Sequence, residues 1–182
     1  DFQGVIEKVD YLNEMGINMV YFGPFHDFGG GIWGFNVDDI YAHEWKFGGT
    51  SKYIEMMKTL KNHNMKCMFD WVPGQVGSQN SPTAKKNPNF FQPEQFGHGT
   101  KQEYCEPRAF YLNNLLWNMS ITDAVRFDNP KFWDNGLGPE HYEFSRALRK
   151  LTDRWDPQYY LFSEIPETVW DINQYTGSNG PM

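Results

Sequence analysis

Cysteine is scarce in this chain. Only Cys67 and Cys105 occur among the 182 residues, and neither sits in a CxxC or Cys/His spacing. A metal site is therefore not expected, and no disulfide can be assumed. Clustered positive charge is also missing. Acidic residues outnumber basic ones 23 to 16, for a net charge of -7, which argues against nucleic acid or an anionic membrane as partner. No apolar run approaches the ~20 residues of a membrane span. The opening DFQGVIEKV has no basic n-region and no initiator Met, so no signal peptide is expected in it. Repeats and low-complexity tracts are absent.

Aromatic residues, by contrast, are abundant. They make up 18% of the chain, as 15 Phe, 10 Tyr and 7 Trp, within an otherwise ordinary composition of 40% apolar and 21% charged residues. Such a load suits a packed core, and ring faces also suit stacking on the apolar faces of sugars. The length allows one domain with a real core and is short for two.

Helix-like and strand-like segments alternate along the chain. In DFQGVIEKVDYLNEMG, the residues Val5, Ile6, Val9, Leu12 and Met15 fall on one helical face, and Gly16 ends it. INMVYFGP reads as a buried strand, followed by a glycine-rich loop, GGGIWGFNVDDIY. GTSKYIEMMKTLKNHN reads as a helix with Thr50 or Ser51 as N-cap. MKCMFDWVP is a second strand, a long polar loop covers about 74–106, and FYLNNLLWNM is helical. DAVRFD is a third strand, PEHYEFSRALRKLTDRW a helix, and YYLFSE a fourth strand. Apolar strands separated by helices predict a parallel sheet with helical crossovers. Either an open doubly wound sheet or part of a (β/α)8 barrel fits. A complete barrel needs eight strands and typically about 250 residues, so this chain holds roughly half of one.

Three of the four strands end in an acid, at Asp70, Asp128 and Glu164. In parallel α/β folds the C-terminal strand ends form the face where active sites sit. The three carboxylates are thus expected to converge on one pocket, with Arg126 beside Asp128. Paired carboxylates in an aromatic setting suit glycoside chemistry, in which one attacks as an anion and the other protonates the leaving oxygen. A guanidinium lowers the pKa of a neighbouring carboxylate, so Arg126 is expected to keep Asp128 ionised. Five histidines are scattered, and none is spaced as a metal ligand. Trp33 and Tyr41 are candidates for lining sugar subsites.

Along nearly its whole length the chain resembles the α-amylase family, glycoside hydrolase family 13. DAVRFD is similar to the family's fourth-strand motif G-F-R-x-D, and LFSEIP to its fifth-strand motif. FDWVPGQ is similar to the third-strand motif D-x-V-x-N-H, and GFNVDDIY to the loop motif G-Y-D-x-x-D-Y. The resemblance implies a single partial (β/α)8 catalytic domain over residues 1–182, comprising about strands 2–5. It implies Asp128 as nucleophile, Glu164 as general acid/base and Arg126 as the partner of Asp128. It also implies Asp70 as an acid beneath the site, Phe35 as the sugar platform and Gln75 in place of a substrate-binding His. Phe35 keeps the ring of the family Tyr and loses its hydroxyl. Gly74 stands where the family's usual calcium-binding Asn falls, so no cofactor is expected. The family's first strand and its seventh-strand His-Asp motif have no counterpart here. The implied substrate is an α-glucan or oligosaccharide, and the open barrel edge implies self-association.

Overall fold

The computed structural model describes residues 1–29, 34–94, 97–100, 105–128 and 141–164. Its centre is a four-stranded parallel sheet, in the order β1 (Met19–Phe22), β4 (Lys66–Trp71), β8 (Ala124–Phe127), β9 (Tyr160–Ser163). These are the four strands the sequence predicts. Successive strands of this sheet are joined by connections that carry helices, the hallmark of parallel pairing.

Helix α1 (Phe2–Glu14) starts where the Asp1 side chain accepts the Gly4 amide hydrogen, and Phe2 and Val9 point into the core. Helix α2 (Gly49–Asn62) buries Tyr53, Met56, Met57 and Leu60 on one stripe. Neither Thr50 nor Ser51 caps it. Gly48 does, at φ 115, and no side chain bonds the first turn. This left-handed geometry favours glycine, which explains why the hydroxyl residues fall one turn inside. Helices α4 (Cys105–Met119) and α5 (His141–Trp155) complete the outer layer.

The strands have two unlike faces. Cys67, Phe69, Trp71, Val125 and Phe127 are buried among the core residues. Register pairs Met68 with Ala124, Asp70 with Arg126, Ala124 with Tyr160 and Arg126 with Phe162. By strand alternation these residues share the opposite face. There Tyr160 and Phe162 are exposed, as is Tyr21 on β1. Large rings lying open on one face of a parallel sheet are what half of a barrel leaves uncovered.

Two regions differ from the sequence expectation. The glycine-rich segment forms an antiparallel hairpin, β2 (His26–Phe28) with β3 (Val37–His43). The polar segment after β4 carries short elements, namely β5 (Gln75–Val76), α3 (Pro82–Lys86), β6 (Phe91–Glu94) and β7 (Gly97–Thr100), whose strands form a sheet in the order β5-β7-β6. Both rest on close backbone approach. Gly34 has φ +76, and a Cβ there would lie 2.5 Å from the Pro24 carbonyl oxygen. A Cβ on Gly77 would lie 2.7 Å from an Asp38 carboxylate oxygen. The histidines the sequence left scattered include a buried pair. His26 and His43 face each other across the hairpin with ring centroids 5.7 Å apart.

Candidate active site

Asp128 and Glu164 are held by the backbone ladder continuing one residue past β8 and β9. The Asp128 amide donates to the Trp71 carbonyl at 3.0 Å, and the Glu164 amide donates to the Phe127 carbonyl at 3.0 Å. Both acids therefore sit at the C-terminal rim, and Asp70 lies one residue inside the end of β4. Trp71 anchors this rim from behind, its indole N–H donating to Asn114 Oδ1 on α4 at 2.8 Å.

Arg126 gathers all three acids. Its Nη1 donates to both Asp70 oxygens at 2.8 and 2.9 Å and to Asp128 Oδ1 at 2.7 Å. Its Nη2 lies 2.7 Å from Glu164 Oε2. A planar guanidinium with donors in a fixed fork serves carboxylates from two separate nitrogens, whereas a lysine offers only one. Exposure of the side chains rises outward from Asp70 at 1%, through Arg126 at 12% and Asp128 at 17%, to Glu164 at 40%. Asp70 is thus the sealed floor, and its oxygens face Arg126 and Tyr21. The Tyr21 hydroxyl donates to Asp70 Oδ2. Sequence reasoning missed Tyr21, because an aromatic in a short apolar strand looks like core. Its only signal was a hydroxyl on the strand adjoining Asp70.

The electrostatics differ in one respect from expectation. Burial pushes the Asp128 carboxyl up to about 6, and this outweighs the downward pull of Arg126. Asp70 and a hydrogen bond with Glu164 push in the same upward direction. Asp70 is likewise raised by burial, with Tyr21 and Arg126 pulling it down. Burial, then the bond to Asp70, raises Tyr21, which keeps its proton. At neutral pH Asp128 is still mostly ionised, since its midpoint lies about a unit lower.

The other predicted residues make their described contacts with other partners. Gln75 donates to the Phe35 carbonyl at 3.4 Å, tying β5 to the hairpin, and the half-buried Phe35 packs against the core. Tyr41 faces elsewhere. Its hydroxyl donates to the Phe110 carbonyl on α4 at 2.7 Å. Trp33 lies outside the described residues. Gly74 offers no side-chain oxygen, and among the described residues no group of three or more His, Cys, Asp or Glu side chains is arranged to hold a metal.

The parallel sheet with helical crossovers, and acids gathered at its C-terminal rim, make this part of a (β/α)8 fold. The family model for the α-amylase catalytic domain matches residues 1–120, and the chain belongs to the α-amylase family. It is 27% identical over 172 residues to the malto-oligosyltrehalose trehalohydrolase of Saccharolobus solfataricus, covering 92% of this chain and 28% of that protein. To alpha-amylase 2 of Schwanniomyces occidentalis it is 29% identical over 137 residues, covering 70% of this chain and 25% of that one. Among solved structures, the alpha-amylase of Geobacillus thermoleovorans in complex with acarbose superposes with a TM-score of 0.75 at 22% identity, covering 92% of this chain and 41% of that one. A trehalulose synthase MutB mutant superposes with a TM-score of 0.83 at 15% identity, covering 98% and 43%. The chain thus spans well under half the length of these relatives.

Proposed function

We propose that the full protein containing this chain cleaves α-glucosidic bonds of starch-like glucans or maltooligosaccharides with retention of configuration. Asp128 attacks the anomeric carbon as Glu164 protonates the departing glycosidic oxygen. Glu164 then takes the proton of the water or sugar hydroxyl that releases the sugar from Asp128. Arg126 positions both acids, and the chemistry needs no cofactor. The observation that supports this reading is the shared geometry of the two acids, which one guanidinium holds through its two terminal nitrogens. Inverting enzymes separate the pair by roughly 6.5–9.5 Å to admit a water, whereas retaining ones keep it at about 5–5.5 Å. The test is the anomer first released from a maltooligosaccharide by the full-length protein, read by proton NMR before mutarotation. Retention is expected, and the β anomer would overturn the mechanism.

Two related readings rest on specific observations. Resemblance to trehalulose synthase favours a transglycosylase, in which a sugar hydroxyl replaces water in the second step. The Gly74-Gln75 replacement of Asn-His favours a non-catalytic glucan-binding relative, which would release no anomer at all. The exposed Tyr21, Tyr160 and Phe162 also support self-association of the 182 residues when expressed alone, because exposed apolar patches and open strand edges seek partners. Sedimentation velocity is expected to show dimers or larger species. A clean monomer that also turns over maltooligosaccharides would contradict this.

A further inference from the structure

Tyr41 lines a cavity that shares no residue with the strand-end cluster. The cavity has a volume of about 170 Å³ and is lined by Asp39, Tyr41, Thr83, Lys86, Asn87 and Phe110. We propose that it binds a single neutral pyranose unit, as a second carbohydrate site on the flank of the barrel.

The wall of the cavity is aromatic and rigid. Tyr41 and Phe110 meet edge to face, with centroids 5.0 Å apart and planes at 67°. The Tyr41 hydroxyl is tied to the Phe110 carbonyl, and Phe110 packs in turn on Phe90 and Tyr111. The Tyr41 ring is nevertheless 45% exposed, so an apolar face is presented without being free to move. Such a ring suits the C–H face of a sugar.

Polar groups surround this wall and come in both kinds. Asp39 accepts the Tyr41 amide hydrogen through Oδ1 at 2.9 Å, which fixes the carboxylate at the rim. Asn87 is held by its own bond to the Thr83 carbonyl at 3.1 Å. Lys86 adds an ammonium from the last turn of α3. One acid and one base leave the cavity without net charge, so neither an anion nor a cation is selected. A sugar hydroxyl both donates and accepts, and it matches a carboxylate beside an ammonium and an amide. The volume lies below the roughly 300–1,000 Å³ of pockets for drug-sized ligands, so one ring fits and an oligosaccharide does not.

The test is calorimetric titration of the full-length protein with glucose and with maltose, in the unsubstituted chain and in Lys86→Met and Tyr41→Ala. Two sites per chain are expected for the unsubstituted protein. Lys86→Met should weaken one of them about tenfold, the worth of one charge-assisted hydrogen bond, and Tyr41→Ala should abolish it. In Lys86→Met kcat/KM on a soluble maltooligosaccharide should be unchanged. Lys86 is exposed, so that variant folds even if Tyr41→Ala does not. A single site, or equal affinity in Lys86→Met, would overturn the inference, as would tighter binding of a zwitterion such as glycine. The inference is separable from the proposed activity. Glucose binding that depends on Lys86 without any turnover would sink the activity and leave this site standing.

Discussion

Asp128→Asn in the full-length protein is expected to lower kcat by at least about 10³-fold, on the order of 4 kcal/mol of lost transition-state stabilisation. An amide cannot form the covalent intermediate. The same substitution should raise thermal stability at pH 7, and the sign follows from the direction of the shift. Burial holds the folded Asp128 at about 6, above its ordinary value of 3.8. The folded state therefore binds more protons than the unfolded state between those two values. Stability from this group is complete below about pH 4 and is lost as pH rises through about 6. Asparagine, which never ionises, removes that loss. An inactive variant with a lower melting temperature would contradict the assignment of Asp128 as a charge the fold tolerates for the sake of chemistry. The unsubstituted enzyme should show an acid limb in kcat/KM with a midpoint near 6, where the nucleophile becomes protonated. Azide separates the two acids. With α-glucosyl fluoride, Asp128→Ala should let azide attack C1 as fluoride leaves, giving the inverted β-glucosyl azide. Glu164→Ala should let azide displace Asp128 from the glycosyl-enzyme, giving the retained α-glucosyl azide. The same product from both variants would refute the division of roles.

The barrel strands were legible because each is a short apolar run and three of the four end in an acid, a pattern set by local sequence alone. Arg126 beside Asp128 was also legible, since residues two apart on a strand share a face. The reach of Arg126 to Asp70 and Glu164 was not. It depends on the register that sets Asp70 against Arg126 and Arg126 against Phe162, and register between parallel strands joined by long connections leaves no local mark. The upward shift of Asp128 was hidden for a related reason. Sequence reveals a neighbouring guanidinium but not how much water the fold removes, and here removal of water outweighs the ion pair. The hairpin of β2 and β3 was obscured by its glycines, which read as loop although Gly34 is needed where the chain passes against Pro24. Tyr41 is an aromatic candidate for a sugar subsite on sequence grounds. Its hydroxyl is tied to α4, a direction that alternation along a strand cannot resolve without knowing which face is covered.

Arg126→Met is expected to cost about 3–5 kcal/mol of folding stability at neutral pH, the usual penalty for stripping one partner from a buried ion cluster. Methionine fills most of the space, so the loss is electrostatic. Asp70 suffers most, because its side chain is 1% exposed and would keep only the Tyr21 hydroxyl as a charge-stabilising donor among the bonds described. Asp70 and Asp128 would then sit close together without a cation, and their shared site would hold at least one proton well above the ordinary carboxylate range. The stability deficit should therefore shrink as pH is lowered, since a protonated carboxyl needs no guanidinium, and chemical denaturation at pH 7 and pH 4 measures it. Arg126→Lys should recover only part of the loss. A single ammonium cannot reproduce one nitrogen serving Asp70 and Asp128 while the other serves Glu164. Tyr21→Phe offers a milder probe of the same floor. It removes one donor to Asp70 and should raise the Asp70 carboxyl further, in the direction burial already drives it. If Arg126→Met denatures at the same denaturant concentration as the unsubstituted protein at pH 7, the guanidinium is not what holds the acids together. The case for a single preorganised carboxylate pair at this barrel rim would fall with it.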